Sequence, residues 1–157
     1  MIRSLNGCAS DMGARKALAA IATLAGISLA CIPATQASAA VSSPGRVALS
    51  WAETHEAGAP YVWGGAGPWG YDCSGAAMTA YDHAGIWLPH FTVSMLWSGH
   101  LHQTWNPRPG DLVMWGGAYP YHVELYVRPG WSYGAQDFGT VVGFHRIWGS
   151  PSYYRVW

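Results

Sequence analysis

Residues 70–85 read Gly-Tyr-Asp-Cys-Ser-Gly-Ala-Ala-Met-Thr-Ala-Tyr-Asp-His-Ala-Gly. From Ser74 to His83 this stretch has no proline, no glycine after Gly75, and several alanines. Alanine loses little entropy on entering a helix, so a helix is expected here, ending at Gly85. Cys73 then stands at the helix N-terminus. Unpaired backbone N–H groups and the helix dipole favour negative charge at that point, and a thiolate benefits from it. The same N–H groups could receive an oxyanion developing on a substrate carbonyl. Upstream, Gly64, Gly65, Gly67, Pro68 and Gly70 force a loop, and a loop of such small residues lets a substrate backbone approach closely.

Moving outward, Val47, Ala48, Trp51 and Ala52 recur at helical spacing, which predicts a helix from Arg46 to Glu56 stopped by Gly58. Tyr61 to Trp63 reads as a short extended piece. Thr92 to Gly99 reads as a second short helix with Thr92 as its N-cap. After Pro107 the texture changes. Leu112–Trp115, His122–Val127, Trp131–Ala135, Val141–His145 and Tyr153–Trp157 are strand candidates separated by Pro or Gly. Helices followed by strands argue for an α+β fold with a mainly antiparallel sheet of five or six strands.

A thiolate nucleophile needs a base to share its proton and later protonate the leaving group. His122 opens the strand His-Val-Glu-Leu-Tyr-Val just after a turn. Strand alternation puts His122, Glu124 and Tyr126 on one face and Val123, Leu125 and Val127 on the other. Two arrangements remain open: the apolar face packs on the helices, or the polar face meets the Cys73 helix. His90, His100 and His102 have ligand-like spacing, but no second cysteine or His-rich helix repeat completes a set, so neither a metal site nor a cofactor is expected.

The first 39 residues differ from the rest. Arg3, Arg15 and Lys16 precede an apolar run from Ala17 to Cys31, and Ala37-Ser38-Ala39 offers a small-residue cleavage site. This is the pattern of a secretory signal over 1–39, followed by a short linker over 40–45 and a domain over 46–157. Export out of the cell follows, with no stable membrane insertion once the signal is removed. Cys8 and Cys31 fall in the signal, which leaves Cys73 as the single cysteine of the exported part. The formal net charge is zero, so the chain has no basic surplus with which to hold nucleic acid.

Tyr61-Val62-Trp63-Gly64-Gly65, Asp72-Cys73-Ser74-Gly75, Gly85-Ile86 with Leu88-Pro89, Pro109-Gly110-Asp111-Leu112 and His122-Val123 with Tyr126 stand in order along the chain. Together they resemble the NlpC/p60 family of papain-like bacterial cell-wall cysteine peptidases, over about Arg46 to Val142. The resemblance implies a papain-like fold and an endopeptidase acting on peptidoglycan stem peptides, at the bond between γ-D-glutamate and a diamino acid. It implies Cys73 as nucleophile and His122 as base and then acid. Tyr61 would sit beside the nucleophile, and Asp72 and Ser74 would bind the stem peptide's free amine or adjoining groups. Trp69, on the glycine-rich loop, is a further candidate for substrate contact.

The family's third polar residue stands about twelve positions after the histidine, on the next strand. Here that position is Gly134, which has no side chain to offer. Gln136, two residues on and on the same strand face, is the candidate orienter of His122, with Asp137 second. Glu124 replaces the family's glycine after His-Val, and His90 replaces the arginine after Leu-Pro. Two other readings follow from the same residues. One is an amidase or acyl transferase that uses the same Cys–His pair. The other, suggested by Gly134, is a non-catalytic wall-binding module.

Overall fold

The structure, a computed structural model, describes residues 42–157. The signal expected over 1–39 lies outside them. Helix α1 spans Pro44–His55, with Ser43 as N-cap accepting from the Arg46 N–H and a proline in its first turn. It therefore begins inside the stretch read as a linker, because Ser-Pro is itself a helix start. Ala48, Leu49 and Ala52 form its buried face.

Helix α2 spans Cys73–His83 and buries Ala76, Ala77, Ala80 and Tyr81. These alanines let it lie close against both α1 and the sheet. Helix α3, Thr92–Leu96, is shorter than its sequence suggests, and Thr92 is not its cap. The Thr92 hydroxyl instead donates to the Pro120 carbonyl at 2.5 Å, tying α3 to the turn that precedes His122. Phe91 takes the N-cap position with no side-chain bond.

Six strands follow: β1 Leu101–Gln103, β2 Leu112–Trp115, β3 His122–Arg128, β4 Trp131–Gly134, β5 Gly143–Arg146 and β6 Ser152–Val156. They form one sheet in the order β1-β6-β2-β3-β4-β5, with every neighbouring pair antiparallel. The chain is thus α+β, with few helices packed on an antiparallel sheet. Strand β1 has no apolar alternation of its own, being half-exposed or exposed along its length. Its partner β6 makes it a strand, which is why the sequence pattern does not announce it.

The period-two rule sorts the sheet into two faces. Leu112, Met114, Val123 and Leu125 join Ala76, Ala77 and Ala80 in the main core. Val113, Trp115 and Tyr126 form a smaller cluster with Ile147 and Tyr153. The apolar face of β3 therefore packs on the helices, and the face carrying His122 and Glu124 looks away from them. His122 still reaches Cys73 because it is the first residue of β3 and stands at the strand's end, where the N-terminus of α2 also lies.

Candidate active site

Asp72 fixes the end of α2. Its Oδ1 accepts from the Gly75 N–H at 2.7 Å, from the Ser74 hydroxyl at 3.1 Å and from His90 Nε2 at 3.0 Å. Its Oδ2 accepts from the Gly64 N–H at 2.8 Å. One carboxylate thus caps the helix and pins the glycine-rich loop to it. The loop lies so close that a Cβ on Gly75 would collide with the Gly65 carbonyl, so the motif requires glycine there. Ala76 donates to the Asp72 carbonyl. The N–H groups of Cys73 and Ser74 have no acceptor among the described residues, and they remain available for an oxyanion.

His122 is 6% exposed and faces Cys73. Its Nε2 lies 3.2 Å from Glu124 Oε1. A carboxylate only accepts, so Nε2 carries a proton and Nδ1 is the nitrogen left for the sulfur. His145 Nδ1 donates to the same Oε1 at 3.0 Å. Burial opposes charge on His122, but hydrogen bonding and charge from Cys73 and Glu124 outweigh it and push its pKa up to about 9. Burial likewise opposes charge on Glu124, and donation from His122 and His145 overcomes it, holding the carboxyl at about 2. Trp115 and Trp148 stack on each other and cover the imidazole, with ring centroids 5.2 and 5.3 Å from it.

Cys73 lines two cavities. One, about 520 Å³, is formed with Tyr61, Tyr121, His122, Gln136, Asp137, Phe138, Thr140 and Trp148. The other, about 450 Å³, is formed with Trp63, Gly64, Asp72, Ser74, His90, Phe91, Thr92, Pro120 and Tyr121. Of the site residues singled out in the sequence, Cys73, His122, Gln136, Asp137, Tyr61, Asp72 and Ser74 converge on this pair of cavities. Tyr61 feels both burial and the charges of Cys73, Asp72 and Asp137, which push its hydroxyl up to about 12.

Two expectations need correction. Gln136 lines the first cavity but makes no hydrogen bond to His122. The nitrogen it was expected to hold is taken by Glu124, from the histidine's own strand. Trp69 lines neither cavity and is 86% exposed on the loop, and Trp63 occupies the rim instead. The sequence reading also missed His145. Both halves of the Glu124 signal were visible: an acid two residues after His122 on the same face, and a glycine where the third residue should stand. Only the register of β3 on β4 joins them.

Comparison with known proteins identifies the family and the fold. The sequence model of the NlpC/P60 family matches residues 58–153. The "Probable endopeptidase Rv2190c" of Mycobacterium tuberculosis is 35% identical over 97 residues, which are 62% of this chain and 25% of that protein. Peptidoglycan endopeptidase RipA of the same organism is 33% identical over 98 residues, 54% of this chain and 21% of that protein. This chain thus spans about a quarter of the length of the curated relatives it matches. Among solved structures, the NlpC/p60 domain of peptidoglycan hydrolase SagA superposes with a TM-score of 0.62 at 30% identity, over 70% of this chain and 96% of that one. RipD of M. tuberculosis, a non-catalytic NlpC/p60 domain protein adapted to peptidoglycan binding, gives 0.62 at 26% identity, over 74% and 99%.

Proposed function

The chain belongs to the NlpC/P60 family, and we propose that it is an exported peptidoglycan endopeptidase with Cys73 as nucleophile and His122 as general base and acid. The observation that carries this reading is the pairing of Cys73 with a buried, carboxylate-backed His122 at the mouth of a substrate-sized cavity. In the first step the Cys73 thiolate attacks the scissile carbonyl carbon. The oxyanion is received by the free N–H groups of Cys73 and Ser74. His122 gives its proton to the leaving amine, the C–N bond breaks, and a thioester remains. Water then attacks the thioester while His122 takes its proton, and the acid departs with the thiolate regenerated.

Cavity chemistry supports an orientation. The leaving nitrogen has to lie on the histidine side, so the leaving half of the substrate occupies the cavity lined by His122. Asp137 lines that cavity, one of its oxygens held by the Phe138 N–H at 2.7 Å. A carboxylate there suits a leaving residue with a side-chain ammonium, which favours the D-γ-glutamyl–diamino acid bond. The acyl half then lies beside Asp72, Ser74 and His90.

The test is release of new amine groups from peptidoglycan fragments by the protein, with mass analysis of the products. Cleavage at a stem-peptide bond that is lost in Cys73→Ala is the expected result. Equal activity in that variant overturns the mechanism. Products cut at the glycan–peptide amide, or acyl transfer products, would assign the same pair to an amidase or transferase. Binding of muropeptides without turnover would make the domain a wall-binding module.

A further inference from the structure

We infer that Glu124 is the positioning residue for His122, supplied from the histidine's own strand, and that Gly134 and His145 are the two residues that make this arrangement work. The inference rests on the reading of Cys73 and His122 as the catalytic pair, and it concerns how this chain holds that pair.

Three observations carry it. First, Glu124 Oε1 occupies the hydrogen-bonding position on His122 Nε2, the nitrogen away from the sulfur. Residues two apart on a strand share a face, so the carboxylate can reach the ring without leaving its strand. Second, a Cβ added at Gly134 would lie 2.9 Å from Glu124 Cγ and 3.3 Å from its Cβ. The volume a β4 side chain would fill is thus already occupied by the glutamate. An orienting residue on β4 and this glutamate on β3 exclude each other, and glycine at 134 is the complement of glutamate at 124.

Third, Glu124 is 1% exposed, and a buried carboxylate needs donors. His145, from β5, provides the second one to the same oxygen. Behind it, Glu124 Oε2 and the Ser132 hydroxyl are both buried with no hydrogen-bond partner among the described residues, so the two imidazoles carry the carboxylate. Two imidazoles therefore converge on one oxygen, and His145 fixes the carboxylate that fixes His122. The titratable groups facing His122 are Cys73 from α2, Glu124 from β3, and Tyr61, Tyr121 and Asp137 from the loops that line the cavity, with His145 behind Glu124.

The experiment compares Glu124→Gln, His145→Gln, Gly134→His and the double variant Glu124→Gly/Gly134→His. Each is assayed for stem-peptide cleavage against pH and for the NMR titration of His122. Glu124→Gln keeps the shape and a hydrogen-bond acceptor but loses the charge. It is expected to lower kcat by between about a hundredfold, the upper end for losing an outer-shell partner, and about 10⁴-fold, the loss on amide-for-acid exchange behind a catalytic histidine, with KM little changed. Its alkaline limb and its His122 titration should both move to lower pH. His145→Gln should give a smaller loss in the same direction. Gly134→His alone should lose activity through collision with Glu124, and the double variant should recover above it.

Unchanged kcat and an unchanged His122 titration in Glu124→Gln would overturn the inference. So would a double variant no better than Gly134→His. The titration needs no turnover, so it decides the positioning role even if the wild-type protein cleaves no stem peptide, the result that would instead remove the proposed function.

Discussion

Asp72 and Glu124 are both buried carboxylates that bind an imidazole beside a cavity lined by Cys73, yet they are built differently. Asp72 has four donors, and two of them are backbone N–H groups, of Gly64 and Gly75. It holds the chain itself: remove it, and the helix end and the glycine-rich loop lose their common anchor. Among the described residues Glu124 has only imidazole donors, both on Oε1, and no direct backbone partner. Its charge is matched to the charge of His122 rather than to the fold. The first carboxylate makes the platform on which the sulfur sits, and the second acts with Cys73 to raise the proton affinity of His122. Glu56 supplies a third case. It is fully buried, neither of its oxygens has a hydrogen-bond partner among the described residues, and burial pushes its pKa up to about 8.

Removing the platform should have the largest effect on stability. Asp72→Ala deletes an N-cap, worth about 1 kcal/mol, together with a charged acceptor serving the Gly64 loop, worth about 2 kcal/mol. A loss of about 3 kcal/mol is expected by denaturant titration, with cleavage lost as well. Glu124→Gln should instead leave most of the stability while cleavage falls. If the two variants shift the unfolding midpoint equally, the distinction between them fails.

The unpaired acid gives the next largest effect, with opposite sign. Glu56 titrates near 4.5 when unfolded and at about 8 when folded. Between those values the folded state holds a proton that the unfolded state has released, so stability falls as pH rises from 4.5 to 8. Glu56→Gln removes that slope. The variant should unfold at a higher temperature than the parent at pH 8 and differ much less at pH 4.5, as read by calorimetry at the two pH values. A parent-like pH dependence in the variant would contradict this account.

Glu124 and His122 act differently on stability. Glu124, depressed from 4.5 to about 2, contributes stability that is present above 4.5 and lost as pH falls towards 2. His122, raised from 6.5 to about 9, contributes stability that is complete below 6.5 and lost as pH rises through 9. The smallest effect belongs to His90. It is one of four donors on Asp72 and its side chain is 30% exposed. His90→Gln should cost less than about 1 kcal/mol, as partly exposed ion pairs do, and should mainly alter KM for substrates that enter the cavity it lines. An equal fall in kcat at unchanged KM would place His90 in the chemistry instead.

The same contrast explains what was legible in the sequence. The helix and the position of Cys73 are local features and could be read directly, whereas Asp72 was read as a substrate contact and its capping of Gly75, three residues away, was not. Strands β2, β3 and β4 were readable because their residues are mostly buried, whereas β5 and β6, half-exposed along most of their length, were marked by the Pro and Gly residues that flank them. Glu124 speaks to His122 two residues away, but its role depends on Gly134 and His145, which only the pairing of β3, β4 and β5 brings beside it. A rule about the family's usual third position pointed to Gln136, past the glycine, when the side chain had moved to the opposite strand. Strand β1 and the loss of the Thr92 cap have the same origin: both are decided by distant partners, β6 and the Pro120 carbonyl.

Glu124 and Cys73 together keep the imidazole of His122 charged, and the share of Glu124 can be measured. NMR titration of the His122 ring in the parent and in Glu124→Gln tests it most directly. The account predicts a midpoint of about 9 in the parent and a clearly lower one in the variant. A parent midpoint near 6.5, the same in both proteins, would contradict it.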